Sequence, residues 1–399
     1  MRSRYFAWRS YRMMKLFVCS MMFICVDVTA QQECLTGFVN TQVGLQYNTA
    51  KSSPTPYRLL DGPPLGPISY RIPGDESTYT LDNFLRNYCT TGFLVIKEDQ
   101  VVFEKYLQGR KPSDTFLSAS MSKTILALLV GIAIKDGKIA LGEKIGDALP
   151  DFKKSAFANA TVEDLLRMAS GAALINSFEP GAESDNRATD PIISPNQNVR
   201  NFLSRKRETL AEPGKKFAYN GAQTAVLGAV LVERVGSNLT TYLEQRVWIP
   251  MGAESDGFWI KNRYEEEGVQ GQFVATLRDY GRLGYLVMNK GRVKDQQIVP
   301  ADWIDKMTTL DKTKPQPTGP PYYGLHIWIP QAANGRSMFW GTNGQNIFID
   351  PIQRVVIVHT GNSPRAEFDG QRHLFALRDA IVRKLTGPTE GTTEIQLPK

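Results

Sequence analysis

The chain is poor in the residues that hold metals and phosphates. It has only three histidines (His326, His359 and His373), and its four cysteines form neither a Cys-x-x-Cys pair nor a cluster with histidine. A zinc site needs ligands at short, regular spacing, so none is expected. Also absent are a Gly-x-Ser-x-Gly elbow, a His-Glu-x-x-His helix, a phosphate-binding glycine loop of either common type and an EF-hand. Those absences exclude the commonest hydrolase, metalloprotease, nucleotide-binding and calcium-binding designs, and no cofactor is expected. No apolar run reaches the roughly 20 residues of a membrane-spanning helix. With 42% hydrophobic and 22% charged residues, the composition is that of a globular protein rather than a disordered or fibrous one. The 399 residues suggest two or three domains on a prior of roughly 150 residues each.

Basic charge is present, but it is concentrated at one end. The formal charge is +7, from 47 basic and 40 acidic residues. Arg2, Arg4, Arg9, Arg12, Lys15 and Asp27 account for most of the excess, and the chain after residue 30 carries only +3. No nucleic-acid partner is expected from that balance, and Arg205-Lys206-Arg207 reads as a solvated loop or helix end. The basic stretch ending at Lys15 precedes the apolar run Leu16 to Val26 and the small residues of Val28-Thr29-Ala30. This order reads as a secretory signal over residues 1–30 with cleavage after Ala30, and hence export to a periplasm or to the medium. The alternative is an uncleaved N-terminal anchor, the one route to a membrane partner. Cleavage leaves Cys34 and Cys89 as an even pair, which an oxidising compartment would join; two unpaired buried thiols are the other reading.

Residues 31–75 are rich in Pro, Gly and Ser and read as an extended arm. Thr80 to Tyr88 reads as a short helix. Phe93 to Ile96 and Val101 to Phe103 flank the polar turn Glu98-Asp99-Gln100, as in a β-hairpin. Thr124 to Lys135 is apolar on nearly every face, the signature of a buried helix, and Asp136-Gly137 ends it. Short helices are expected at Thr161 to Met168, Asn198 to Lys206, Thr224 to Arg234, Leu277 to Met288 and Ala301 to Met307. Strands are expected at Tyr323 to Ile329, Arg336 to Trp340, Asn346 to Ile349 and Val355 to Thr360. An amphipathic helix carrying Leu374, Leu377, Ile381, Val382 and Leu385 follows. Strands at both ends with helices between predict an α/β (α+β) fold. Residues 76–117 and 271–386 would form one sheet-bearing region, 118–270 a mainly helical insertion, and 387–399 a frayed tail.

The chemistry-bearing motif is Ser120-Met121-Ser122-Lys123 at the head of the buried helix. Spacing i, i+3 places hydroxyl and amine on one helix face. A serine at a helix N-terminus has backbone N–H groups and the positive dipole end beside it. A desolvated lysine there loses its charge near neutral pH and accepts the serine proton. The plainer reading is an N-cap serine and a solvated lysine. Downstream, Tyr219-Asn220-Gly221 lies on a turn ahead of a helix, where a tyrosine can relay a proton; the plainer reading is a packed aromatic with a satisfied hydroxyl. Phe339-Trp340-Gly341-Thr342-Asn343-Gly344-Gln345 reads as a strand and a glycine-rich corner. A backbone N–H on such a strand edge can supply half of an oxyanion hole, the other half being the N–H of Ser120; the plainer reading is a hairpin turn.

The order Ser-x-x-Lys, tyrosine, glycine-bearing strand resembles the penicillin-recognising serine hydrolases. Thr161 to Gly171, Ala275 to Asp279 and Ile298 to Trp303 are similar to further landmarks of that family, so the resemblance covers about 75–385. Tyr219 to Gly228 (YNGAQTAVLG) is most similar to the class C β-lactamase-related branch that holds carboxylesterases and 6-aminohexanoate-dimer hydrolase. The resemblance implies a β-lactamase/transpeptidase-like fold, with an antiparallel sheet from both termini flanked by helices. It implies Ser120 as nucleophile, Lys123 as general base and Tyr219 as proton relay, with backbone N–H groups of Ser120 and Thr342 as oxyanion hole. Asn220, Trp340 and Gly341 would contact substrate. The chain departs from the family where penicillin recognisers carry Lys-Thr-Gly: it has Phe339-Trp340-Gly341, without a cation for a β-lactam carboxylate. A small-molecule ester or amide is therefore the expected substrate. The alternative is a non-catalytic peptide or cell-wall-fragment sensor on the same fold.

Overall fold

The structure, a computed structural model, describes Cys34 and residues 38–177, 182–330, 335–363 and 369–387. The expected leader and all but the first residue of the expected tail lie outside the described residues. Among the described residues no helix is long and apolar enough to cross a membrane.

An eight-stranded sheet is assembled from both ends of the chain, as the pattern predicts. The order is Tyr322–Tyr323, Trp328–Ile329, Ser337–Trp340, Asn346–Asp350, Val355–Gly361, Thr90–Lys97, Gln100–Tyr106 and Leu60–Asp61. Neighbours are antiparallel except Leu60–Asp61, which runs parallel to Gln100–Tyr106. Thr90–Lys97 and Val355–Gly361 are paired at the centre, with Val95 opposite Ile357. Both are continuous apolar runs because both faces of the sheet are covered. On one face the helix Asp369–Thr386 lays Leu374, Leu377 and Ile381 against Phe93, Val95 and Ile357. On the other, the helix Leu277–Met288 approaches closely through Gly281 and Gly284. A Cβ at either would lie 2.7 Å from Leu94 or 2.5 Å from Val356.

Beyond that layer runs the helix Met121–Lys135, buried from Met121 to Ala133. Uniform apolarity is what keeps it in the interior, since no face of it has a polar alternative. Trp303 crosses it at Gly131 and donates its indole N–H to the Ala127 carbonyl at 3.0 Å.

Three features differ from the sequence reading. The arm is not merely extended: Tyr47–Ala50 pairs with Gly257–Ile260, which pairs with Phe273–Thr276, which pairs with Thr115–Leu117. This second, four-stranded sheet has strands of three or four residues joined over long sequence separations, too short for any alternation to register. The segment Tyr323 to Ile329, expected as one strand, folds back as a hairpin with Tyr322 opposite Ile329. Gly324 N–H bonds the Ile327 carbonyl, and His326 takes a positive φ of 54° that turns the chain. Finally, the helix expected from Thr224 begins at Gly221, because Asn220 caps it.

Candidate active site

Ser120 is placed by the second sheet. Thr115–Leu117 leads into a turn pinned by the Ser118 N–H on the Phe273 carbonyl at 2.8 Å. Ala119 is held at φ 43°, a left-handed conformation that costs a non-glycine residue energy and is kept by its surroundings. The turn delivers Ser120 to the N-cap position of Met121–Lys135, yet its side chain makes no capping bond. Its hydroxyl instead accepts from Lys123 Nζ at 2.8 Å. Thus the plain N-cap reading does not describe this serine.

Lys123 is only 4% exposed. Its second contact is the Gln270 backbone carbonyl, 2.5 Å from Nζ. Burial pushes its proton affinity down to about 7, and the charge of Asp190 acts in the opposite direction. Asp190 is half-buried and is held by the Ile192 N–H at 2.8 Å and by Gln272 Nε2 at 2.6 Å. Desolvation raises its carboxyl to about 6, against backbone hydrogen bonds and Lys123. Below the lysine lies His326, pushed to about 3 by burial and by the Lys123 charge, and therefore neutral. Its Nε2 pairs with Thr224 Oγ1 and its Nδ1 with the Leu166 carbonyl.

Tyr219 lies immediately before the cap of Gly221–Val235. Lys123 Nζ is 5.3 Å from the centroid of its ring, and Trp328 and Tyr323 pack around it at 5.5 and 5.9 Å. Asn176 Nδ2 donates to the Tyr219 carbonyl and Asn186 Oδ1, from the short helix Asp185–Ala188, accepts from the Gly221 N–H, so two asparagines frame the tyrosine's backbone. Asn220, expected to meet substrate, is otherwise committed. Its Oδ1 accepts from the Ala222 N–H at 2.9 Å, its Nδ2 donates to the Ile175 carbonyl at 3.2 Å, and it is 2% exposed.

The strand end Phe339-Trp340-Gly341 packs onto the serine turn. A Cβ at Gly341 would fall 2.6 Å from the Ser118 carbonyl oxygen and 2.9 Å from Ser120 N, so only glycine fits. The corner that follows is tied by Gly341 N–H to the Gln345 carbonyl at 2.9 Å and by Gln345 Nε2 to the Gly361 carbonyl at 2.6 Å. Among the described residues neither the Ser120 N–H nor the Thr342 N–H has a protein acceptor. Half-buried Trp340 packs on Trp328 and Phe375 at 5.3 and 5.9 Å. Cys34 and Cys89 are joined as a disulfide, with Cα atoms 5.6 Å apart. The Cys89 carbonyl accepts from the Asn362 N–H, just past the central strand Val355–Gly361.

The structure therefore brings Ser120, Lys123, Tyr219, Trp340, Gly341 and Thr342 to one place and keeps the Asn220 side chain out of it. Gln270, Asp190, Asn186 and His326 are additions. Gln270 acts through its backbone, which leaves no trace in residue type. Asp190 is a lone acid in an irregular loop, without a pattern to mark it.

The comparisons with known proteins agree on the family. A family model described as Beta-lactamase matches residues 82–381. A 6-aminohexanoate-dimer hydrolase of Paenarthrobacter ureafaciens is 26% identical over 325 residues, covering 76% of this chain and 79% of that protein. A Bacillus anthracis structure provisionally named 6-aminohexanoate-dimer hydrolase superposes with a TM-score of 0.80 at 21% identity, over 88% of this chain and 93% of that one. A penicillin-binding protein from Bacillus halodurans matches with a TM-score of 0.57 at 17% identity, over 74% and 99%. The likeness runs from the first helix to the last, and the chain belongs to the beta-lactamase family of serine hydrolases.

Proposed function

We propose that this protein cleaves an ester or small amide through an acyl-serine intermediate, with Ser120, Lys123 and Tyr219 as its reactive groups. The observation that carries the proposal is the contact of a buried lysine amine with a serine hydroxyl at 2.8 Å. With its proton affinity near 7, about half of Lys123 is the neutral base at pH 7. An ordinary lysine would leave about one in 3,000 neutral. Neutral Lys123 takes the Ser120 proton as Oγ attacks the carbonyl carbon, and the Ser120 and Thr342 N–H groups hold the oxyanion. Tyr219 gives its phenolic proton to the leaving oxygen or nitrogen as that atom's bond to the acyl carbon breaks, and regains one from the Lys123 ammonium, which returns to the neutral amine. Water then attacks the acyl-serine by the reverse path and restores the free hydroxyl.

The aromatic wall of Trp340, Trp328 and Tyr219 favours a flat or apolar group beside the scissile bond, and the strand offers no cation where Lys-Thr-Gly would stand. A relative named as a 6-aminohexanoate-dimer hydrolase places that dimer among the first substrates to try. Export with removal of residues 1–30 belongs to the same proposal, supported by the Cys34–Cys89 disulfide, a bond characteristic of oxidising compartments. Intact-mass measurement after a fluorophosphonate probe tests the chemistry. One adduct on the wild type and none on Ser120→Ala is the expected result. A folded wild-type protein that takes no adduct refutes the acyl-serine and leaves a binding module.

A further inference from the structure

A cavity whose lining does not include Ser120, Lys123 or Tyr219 lies along the helix Gly221–Val235. It has a volume of about 470 Å³ and lies between that helix and the segment Glu265 to Gln270. That volume falls within the roughly 300–1,000 Å³ of small-molecule sites. Its mouth is marked by exposed Val232 and Tyr264, at 38% and 42%, and its inner end by buried Gln270 and Thr189, at 6% and 2%. Val226, Leu203 and Val269 supply an apolar wall.

The charged groups around it are already engaged. Arg200 pairs with Asp151 and Glu233 at 2.8 and 3.1 Å. Glu265 pairs with Lys261 at 2.5 Å. Glu266 accepts from the Val199 and Arg200 N–H groups at 2.7 Å each. Glu267 accepts from the Leu239 N–H at 2.7 Å and from Thr240 Oγ1 at 2.5 Å. An ionic occupant would find no free countercharge and would lose its hydration, which is costly. Two kinds of polar group are left over. Asn198 and Asn238 each use Oδ1 as a helix cap, and their Nδ2 groups have no protein acceptor among the described residues. At the inner end the buried Gln270 Oε1 has no donor. The first kind suits an acceptor, which a hydroxyl or an amide provides; the second, closed to solvent, meets a donor only when the Gln270 side chain shifts.

We propose that this cavity is a regulatory site for an uncharged, largely apolar molecule bearing one hydroxyl or amide group. The lever is Gln270: its side chain forms the inner end of the cavity while its backbone carbonyl holds Lys123 Nζ at 2.5 Å. Its Nε2 also ties it to the Thr189 carbonyl, beside Asp190. An occupant that shifts Gln270 weakens the carbonyl's hold on the ammonium, which favours the neutral amine. The acidic limb of activity then moves to lower pH. This coupling rests on the reading of Lys123 as general base; occupancy of the cavity does not.

The probe is 4-phenyl-1-butanol, titrated calorimetrically into the full-length protein and into Ser120→Ala. One saturable site is expected in both, at least tenfold weaker in Ala229→Trp, which fills the wall, and in Val232→Trp, which covers the mouth. Absence of saturable binding, or binding that both tryptophans leave untouched, overturns the site. For the coupling, the rate of p-nitrophenyl acetate hydrolysis is followed against pH with and without saturating alcohol. A limb displaced downward in wild type but not in Ala229→Trp is expected, and an unmoved limb overturns the regulatory role. If the wild type proves inert toward the ester, the reading of Ser120 fails while the calorimetric result for the cavity stands.

Discussion

Two helices of this molecule begin in the same way and end up with opposite tasks. Thr115–Leu117 and Phe273–Thr276 are paired strands, and each leads into a buried helix with a hydroxyl residue at its N-cap and a buried cation beyond. In the second, Thr276 Oγ1 accepts from the Asp279 N–H at 3.2 Å and donates to the Asp279 carboxylate at 2.7 Å. Arg282 is then paired with Asp279 at 3.0 Å and Glu254 at 2.8 Å, with the Tyr57 carbonyl completing its contacts. In the first, Ser120 caps nothing, and among the described residues Lys123 has no carboxylate within hydrogen-bonding distance, only Oγ and a carbonyl. Burial with partners holds a charge in place and makes structure. Burial without a charged partner at hand pushes an amine's proton affinity down, which is what a base at neutral pH requires.

The comparison is broken most directly at the serine. Ser120→Ala should lower ester hydrolysis by roughly 10³-fold or more while the melting temperature stays close to wild type. Residual turnover near the wild-type rate would remove the distinction between the two helices. Lys123→Met should cost roughly 10²–10⁴-fold in kcat/KM, with no loss of stability, since it deletes a desolvated amine. The wild-type rate should rise with pH through about 7. Stability carries the same signature. Folding depresses the lysine's proton affinity, so the unfolded chain holds more protons between about 7 and the ordinary lysine value of 10.5. Wild-type stability therefore gains with pH across that window relative to Lys123→Met. Parallel stability curves for the two proteins would show that the lysine is not desolvated.

On the other helix the expectations reverse. Asp279→Asn takes from Arg282 the fully buried one of its two carboxylates and should destabilise by about 3–5 kcal/mol. The activity of the fraction that remains folded should be retained, as read by active-site titration against denaturant melts. The smallest effect is expected for Thr276→Ala, a lost cap worth about 1 kcal/mol and no change in kcat. A catalytic defect there larger than twofold would mean that the two helix starts are mechanically linked through their paired strands.

Legibility follows distance along the chain. Ser120 and Lys123 are one helical turn apart, so their meeting is a property of local geometry. The buried helix was readable from uniform apolarity, and the sheet from the clustering of strands at both termini. Helix starts were less readable, as at Gly221, where the cap is set by an asparagine that also reaches Ile175. The second sheet was not legible, because Ala50, Gly257 and Phe273 meet through tertiary folding alone. Nor was the Gln270 carbonyl, since every residue carries one and only the fold chooses which faces the lysine.

The sequence by itself determined the serine–lysine spacing, the tyrosine on the turn downstream, and the strands at both ends with helices between. These rest on residue type and short-range periodicity, which a linear chain already contains. The tertiary structure alone decided that the lysine is dry and that the asparagine after the tyrosine serves as a cap. It also placed a glutamine between the buried lysine and a cavity. Desolvation and hydrogen-bond partnership depend on which distant segments close over a group, and that is set only when the chain has folded.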